Sequence, residues 1–194
     1  AYLKRLQKLK ITDSKKLDDK KRKQILKCIF QENEFSHKHF SYKKKYPLEG
    51  EFRNLSFCLS GKSPEEIEEL NILWASMEAM GDCAKTLSQK ERDIIWIDGN
   101  RSPRNLPDAA QVRTIIKGDE HSLIIGLASI IAKVFRDQLM SVYDFDYPEF
   151  GFVSNAGYPT PFHKEALKRF GKTPIHRNSF KSVKEESKIY GSSK

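Results

Sequence analysis

The 194-residue sequence has little cysteine, little tryptophan and no long apolar run, and each shortage removes an option. Its three cysteines, Cys28, Cys58 and Cys83, are odd in number, form no Cys-x-x-Cys pair and have no histidine-rich neighbourhood. A disulfide-stapled scaffold is thereby excluded, and half-buried thiols in a reducing compartment are expected. The longest apolar stretch, 123–132, is closed by Lys133 and falls far short of the roughly 18 residues of a membrane span. It reads as a buried helix. No basic, apolar and small-residue leader of the secretory kind opens the chain, so a cytoplasmic location is expected. Against these shortages stand 38% hydrophobic residues and 11% aromatic ones, enough for a core and too many for a disordered chain.

Acid is also scarce, but only at the two ends. Residues 1–45 hold 15 Lys and Arg against 5 Asp and Glu, and residues 161–194 hold 9 against 3. Residues 46–160 reverse the balance, with 11 against 18, inside an overall charge of +9. Basic flanks attract polyanions, because lysine and arginine release the counterions condensed on phosphates. A lysine-rich solvated surface has the same composition, so specific residues must decide.

Hydrophobic spacing and capping residues predict the elements. Thr12, Asp13 and Ser14 offer cap chemistry ahead of a helix over roughly 14–32 with Leu17, Ile25, Cys28 and Ile29 on one side. Residues 33–55, with His37, His39 and Lys43 to Lys45, read as a loop or irregular hairpin before a short strand at 55–59. Ser63-Pro-Glu-Glu66 is a capping box that opens one long helix with apolar positions at three and four from Ile67 to Leu87. Two apolar runs then end in acids, Ile94 to Asp98 and Val112 to Asp119. A helix from Ser122 through Met140 follows, then one from Phe162 to Phe170 stopped by Gly171, and a polar tail after Phe180 that frays. Alternating strands and helices give an α/β fold.

In open α/β sheets, sites form beyond the carboxyl ends of strands, where Asp98 and Asp119 are expected. Two carboxylates there suit Mg²⁺, which takes oxygen ligands and keeps several waters. An acid after a strand also commonly caps a turn, and spacing alone leaves both readings open.

Several short motifs stand in one order along the chain. They are Asp13-Ser-Lys-Lys-Leu17, Glu69-Leu-Asn-Ile-Leu73, Ile97-Asp-Gly-Asn100, Ile116-Lys-Gly-Asp119, Ala128-Ser-Ile-Ile-Ala-Lys-Val-Phe-Arg-Asp137, Gly157-Tyr-Pro-Thr160 with His163, and Pro174-Ile-His-Arg-Asn-Ser-Phe180. Together they resemble bacterial ribonuclease HII, the type 2 ribonuclease H, from about Thr12 to Phe180. The resemblance implies a ribonuclease H-like fold, a central mixed sheet flanked by helices. It divides the chain into a core at 1–140 and a C-terminal helical, substrate-binding portion with its tail at 141–194. It also implies an endonuclease that cuts RNA in RNA·DNA hybrids and at ribonucleotides embedded in duplex DNA, a monomer that acts in ribonucleotide repair. Four carboxylates and two Mg²⁺ or Mn²⁺ ions serve the hydrolysis, which leaves 5′-phosphate and 3′-hydroxyl ends.

Carried over residue by residue, Asp98 resembles the third carboxylate and Asp119 the fourth. Tyr158 resembles the tyrosine that meets the 2′-hydroxyl and packs on the next sugar, the group that distinguishes RNA from DNA. Ser14, Lys15 and Lys16 are expected along the nucleic-acid strands. Lys117 either touches a phosphate or balances local charge. His163 is expected to order the loop that holds Tyr158, and His176 and Arg177 either reach the duplex backbone or anchor the tail. The first two carboxylates of the family stand in an Asp-Glu-Ala-Gly-Arg-Gly strand that this sequence lacks. Ala1-Tyr-Leu3 resembles the end of the family's second strand, and an N-terminally truncated, inactive or nearly inactive form is expected. Two other readings are a nucleic-acid-binding module without catalysis and the related ribonuclease HIII, which prefers longer hybrids.

Overall fold

The computed structural model describes residues 2–30, 42–88, 93–108 and 110–187, without the side chains of Tyr2, Leu3, Arg5 and Ser187. His37 and His39 of the expected loop lie outside the described residues. The chain divides into two compact units, 1–61 with 77–135, and 62–76 with 136–194.

In the first unit, Asp13 caps a 3₁₀ turn at Ser14–Lys16, its carboxylate accepting the Lys15 N–H at 2.9 Å. The α/β sequence pattern then produces α2, Asp19–Phe30, whose start is closed by Asp18 accepting the Lys21 N–H at 2.6 Å. Ile25, Leu26 and Ile29 recur on one face and are almost fully buried, each burial contributing about 1.5–3 kcal/mol. They pack with Leu6, Phe52, Ile130 and Val134 in one core. The segment expected to end a strand is instead helix α1, Tyr2–Lys8. A lone strand would leave backbone groups unpaired, whereas a helix satisfies them within itself and sends Leu6 into the core.

Two short ladders form among the described residues. Strand β1, Lys45–Pro47, pairs antiparallel with β2, Ser56–Cys58, so the hairpin alternative holds for this part of the expected loop. Strand β3, Ile94–Asp98, pairs parallel with β4, Gln111–Ile115, placing Asp98 opposite Ile115. Residues 99–110 make the crossover of about a dozen residues that a parallel pair requires. Ile97 is buried, while Ile94, Trp96 and Val112 are exposed. Two helices follow directly, α5, Gly118–His121, and α6, Leu123–Asp146.

The long helix expected from Ser63 to Leu87 is two helices, α3, Pro64–Leu70, and α4, Ile72–Leu87. Asn71 divides them at φ +65°, and its side-chain oxygen accepts the Leu73 and Trp74 N–H groups at 3.0 and 3.2 Å. Periodicity continues across the break because both helices have an apolar side, but Asn71 caps a new helix instead of continuing the old one. Met80, expected on the buried side, is exposed.

The second unit is helical. It holds α3, the ends of α4 and α6 that fall within its residues, a 3₁₀ turn at Pro148–Phe150, and α7, Phe152–Asn155. Helix α8, Pro161–Phe170, begins at Thr160, whose hydroxyl accepts the His163 N–H, and ends at Gly171 with φ +73°. Its core joins Met140, Phe150, Phe152, Leu167 and Val183. The described part of the polar tail is helical as well: α9, Lys181–Ser187, is held by buried Val183 and by the Lys168 to Glu186 ion pair at 3.6 Å. Among the described residues no helix is long and apolar enough to cross a membrane.

Candidate functional site

In the first unit the chemistry gathers where β3 ends. Asp98 is the last residue of that strand and is exposed, and its Oδ1 accepts the Gly118 N–H at 2.8 Å. This bond ties the end of β3 to the start of α5 and so brings the Asp98 and Asp119 carboxylates into one electrostatic neighbourhood. The approach is close at Gly118: a Cβ would lie 2.8 Å from the tip of the Ile125 side chain, which would have to shift, and 3.3 Å from Asp98 Oδ1. Asp119, half-buried, has its carboxyl raised above the ordinary value by burial first, then by the like charges of Asp98, Asp13 and Glu120. Repelling carboxylates with oxygen-only donor atoms fit a hard divalent cation. Among the described residues no three His, Cys, Asp or Glu side chains come together to enclose a metal ion, so the pair offers an open, partial set.

The expected basic partners surround these acids. Lys16 pairs with Glu120 at 2.8 Å, and Lys117, in a left-handed conformation before α5, lies 3.9 Å from the same carboxylate. Lys15 is exposed. Ser14 differs from the others: it is 4% exposed, its hydroxyl accepts from Ser129 at 2.9 Å, and its carbonyl accepts from Arg22 at 3.0 Å. It therefore anchors the turn that carries Lys15 and Lys16. Asp13, read from the sequence as a cap only, also contributes charge to the acid cluster; its motif held the signal, since an acid beside two lysines before a turn need not be only a cap.

In the second unit Tyr158 stands out, 69% exposed on a turn whose backbone is held on every side. Buried Asn155 accepts the Gly157 N–H at 2.8 Å through its side-chain oxygen and donates its amide to the Phe150 carbonyl at 2.6 Å. Arg136 donates to the Ala156 carbonyl at 3.0 Å. Ala156 and Gly157 both have positive φ, +49° and +79°, which glycine adopts freely but which is costly at Ala156, so this turn needs such ties. The Tyr158 carbonyl accepts the Thr160 N–H at 2.8 Å and faces His163 Nδ1 at 3.2 Å. His163 is buried and meets His176 there. Arg177 is half-buried and lies over the Phe180 ring at 4.8 Å. Asn155 was missed from sequence, although an asparagine two residues before a turn glycine is a known turn signal. The site residues thus form two groups, one in each unit.

Among the cysteines, Cys28, Cys58 and Cys83 are free and half-buried, and burial with the neighbouring Cys58 pushes Cys83 up to about 12.

Comparison with known proteins gives one consistent result. Residues 1–183 match the family model described as ribonuclease HII. The chain is 40% identical over 174 residues to ribonuclease HII of Marinomonas sp. strain MWYL1, covering 90% of this chain and 75% of that protein. Against ribonuclease HII of Vibrio vulnificus strain YJ016 it is 41% identical over 174 residues, covering 90% and 72%. Its fold is similar to that of the ribonuclease H2 from Pyrococcus horikoshii OT3, with a TM-score of 0.68 at 22% identity over 98% of this chain and 86% of that one.

Proposed function

Because the chain belongs to the ribonuclease HII family of hydrolases, we propose that its site serves cleavage of RNA in RNA·DNA hybrids and at single ribonucleotides in duplex DNA. The reading rests on one observation above the others: the Gly118 to Asp98 bond that draws Asp98 and Asp119 together with a raised Asp119 carboxyl. These two side chains would hold Mg²⁺ or Mn²⁺. When bound, such ions supply activation of the attacking water and stabilisation of the leaving 3′ oxygen, giving a 5′-phosphate and a 3′-hydroxyl.

The remaining residues do the binding. Lys15, Lys16 and Lys117 would meet backbone phosphates, with Ser14 holding the turn of Lys15 and Lys16, and Arg177 would contribute from the portion after residue 140. Tyr158, exposed on a rigid turn, would meet the 2′-hydroxyl at an RNA to DNA junction. His163 would keep that turn in place. A cytoplasmic monomer acting in ribonucleotide repair is the setting that this reading implies.

Asp98 and Asp119 are two of the four carboxylates that the resemblance requires. The 194-residue polypeptide alone is therefore expected to bind a duplex with one embedded ribonucleotide but to cut it weakly or not at all in Mg²⁺ or Mn²⁺. Fusion to a strand carrying Asp-Glu-Ala-Gly-Arg-Gly is expected to bring cleavage, and Asp98→Asn in that fusion to abolish it while binding in Ca²⁺ persists. Retained turnover in Asp98→Asn overturns the ligand assignment. In the fusion, cutting confined to longer RNA tracts favours the ribonuclease HIII preference, and binding without cutting in either ion favours a non-catalytic module.

A further inference from the structure

The His163 and His176 imidazoles lie with their Nε2 atoms 3.0 Å apart, and the two residues are only 4% and 9% exposed. Two nitrogens at that distance share one proton, so one ring donates and the other accepts. The ends of the pair fix which does which. The Thr173 backbone N–H lies 3.0 Å from His176 Nδ1 and can only donate, so that nitrogen carries a lone pair. The Thr173 hydroxyl adds a second contact to it at 2.8 Å. The His176 proton is therefore on Nε2 and points at His163 Nε2. The His163 proton then sits on Nδ1 and points at the Tyr158 carbonyl, 3.2 Å away.

We infer that His163 and His176 form a neutral, one-directional relay running from Thr173 to the Tyr158 carbonyl, and that it positions the Tyr158 turn for telling a ribonucleotide from a deoxyribonucleotide. His163 and His176 are positioning residues here; neither meets the reacting atoms. The inference rests on the reading of Tyr158 as the residue that meets the 2′-hydroxyl.

The surroundings keep the relay neutral. Phe150 lies 4.9 Å from the His176 ring and Phe152 5.3 Å from the His163 ring, measured between centroids. Both rings border a cavity of about 210 Å³ whose charged lining residues are Lys62, Arg136 and Arg177, with no carboxylate among its lining residues. Tyr143 of α6 lines it as well, and burial raises that phenol, which stays neutral. Of the acids on the packed elements, Glu66 pairs with Lys62, Glu186 pairs with Lys168, Asp144 accepts the Val153 N–H and Glu68 the Ser179 N–H, Asp137 is half-buried on α6, and Glu65, Glu69, Asp146, Glu149, Glu165 and Glu185 are exposed. Burial lowers His163, and burial followed by the His163 charge lowers His176 from 6.5 to about 4. A third proton would also place two N–H groups head to head across 3.0 Å. The folded pKa values lie below the unfolded one, so the contribution of the pair is complete above about pH 6.5 and is lost as pH falls toward about 4.

Two measurements on the 194-residue chain test this. Long-range ¹H–¹⁵N spectra of histidine-labelled protein at neutral pH are expected to show His163 protonated on Nδ1 and His176 on Nε2; any other pairing, or a charged ring, overturns the relay. Binding is then compared, in Ca²⁺, between an all-DNA duplex and one with a single ribonucleotide. Tyr158→Ala and His163→Leu are each expected to lower the preference for the ribonucleotide by about tenfold. His163→Asn, whose amide can donate from near the Nδ1 position, is expected to restore most of it. Wild-type preference is expected to persist from pH 7 to pH 5 and to fall as pH approaches about 4, and that of His163→Asn to hold. If Tyr158→Ala loses the preference and His163→Leu keeps it, the relay is overturned and the role of Tyr158 stands. If Tyr158→Ala keeps it, or the chain shows no preference, the role of Tyr158 falls and the relay with it. Should His163→Leu not fold, the wild-type tautomers and pH dependence decide.

Discussion

Asp119 carries a penalty in the folded state that a cation would relieve. Its carboxyl is raised by burial and by three neighbouring acids, so the folded form holds its proton more tightly than the unfolded one. That contribution favours the fold at low pH and is lost as pH rises through the raised value, leaving a like-charge repulsion at neutrality. Asp119→Asn is therefore expected to raise the melting temperature at pH 7 in metal-free buffer by up to about 2 °C, a modest gain because the group is only half-buried. The same variant should lose the stabilisation that Mg²⁺ or Mn²⁺ gives the wild type, and calorimetry with and without the ion checks both signs. The two neighbouring lysines should not be equivalent. Lys16 is engaged with Glu120 at 2.8 Å while Lys15 is exposed, so Lys15→Ala is expected to reduce the slope of log affinity against log salt by about 1, and Lys16→Ala by less.

At the scale of elements, Asn71 is the informative position. It holds positive φ and caps α4, two demands that glycine meets in part and alanine meets in neither respect. Asn71→Ala is expected to cost about 1–2 kcal/mol in urea unfolding and Asn71→Gly only a few tenths. The elements most legible in the sequence had local chemistry at an end: α8 between Thr160 and Gly171, the start of α3 at the Ser63 and Glu66 box, and the end of β3 at Asp98 and Gly99. Apart from the break that Asn71 makes locally, those misread were decided by tertiary contact. Helix α1 depends on Leu6 finding the core, and α9 depends on Val183 doing the same, neither of which is visible in polar, lysine-rich segments. The site divides the same way. Asp98 was legible as the acid that ends a strand, whereas Asp119, expected at the end of a second strand, stands in α5 because β4 stops at Ile115, and Tyr158 was singled out through its motif. The contact between His163 and His176 was not, since thirteen residues and a helix end separate them in sequence. Nor was the inward turn of Ser14, which the hydroxyl of Ser129 on α6 decides.

For the whole molecule, the uneven charge and the exposed ladder have separate consequences. Basic ends around an acidic middle predict nucleic-acid binding that weakens steeply with salt, as titrations between low and physiological ionic strength should show. The ladder of β3 and β4 is unusual for a different reason: parallel strands are nearly always covered on both faces, yet Ile94, Trp96 and Val112 meet solvent. The chain is expected to bind a hydrophobic dye at this face, and Ile94→Lys to reduce the signal without lowering the melting temperature by more than about 2 °C. Trp96 also gives the protein an optical reporter of its own. An indole in water emits toward the red and shifts to the blue when covered, and the only other tryptophan is Trp74. A Trp74→Phe variant would leave a single emitter whose colour tells, in real time and without a label, whether anything has settled on the face of that ladder.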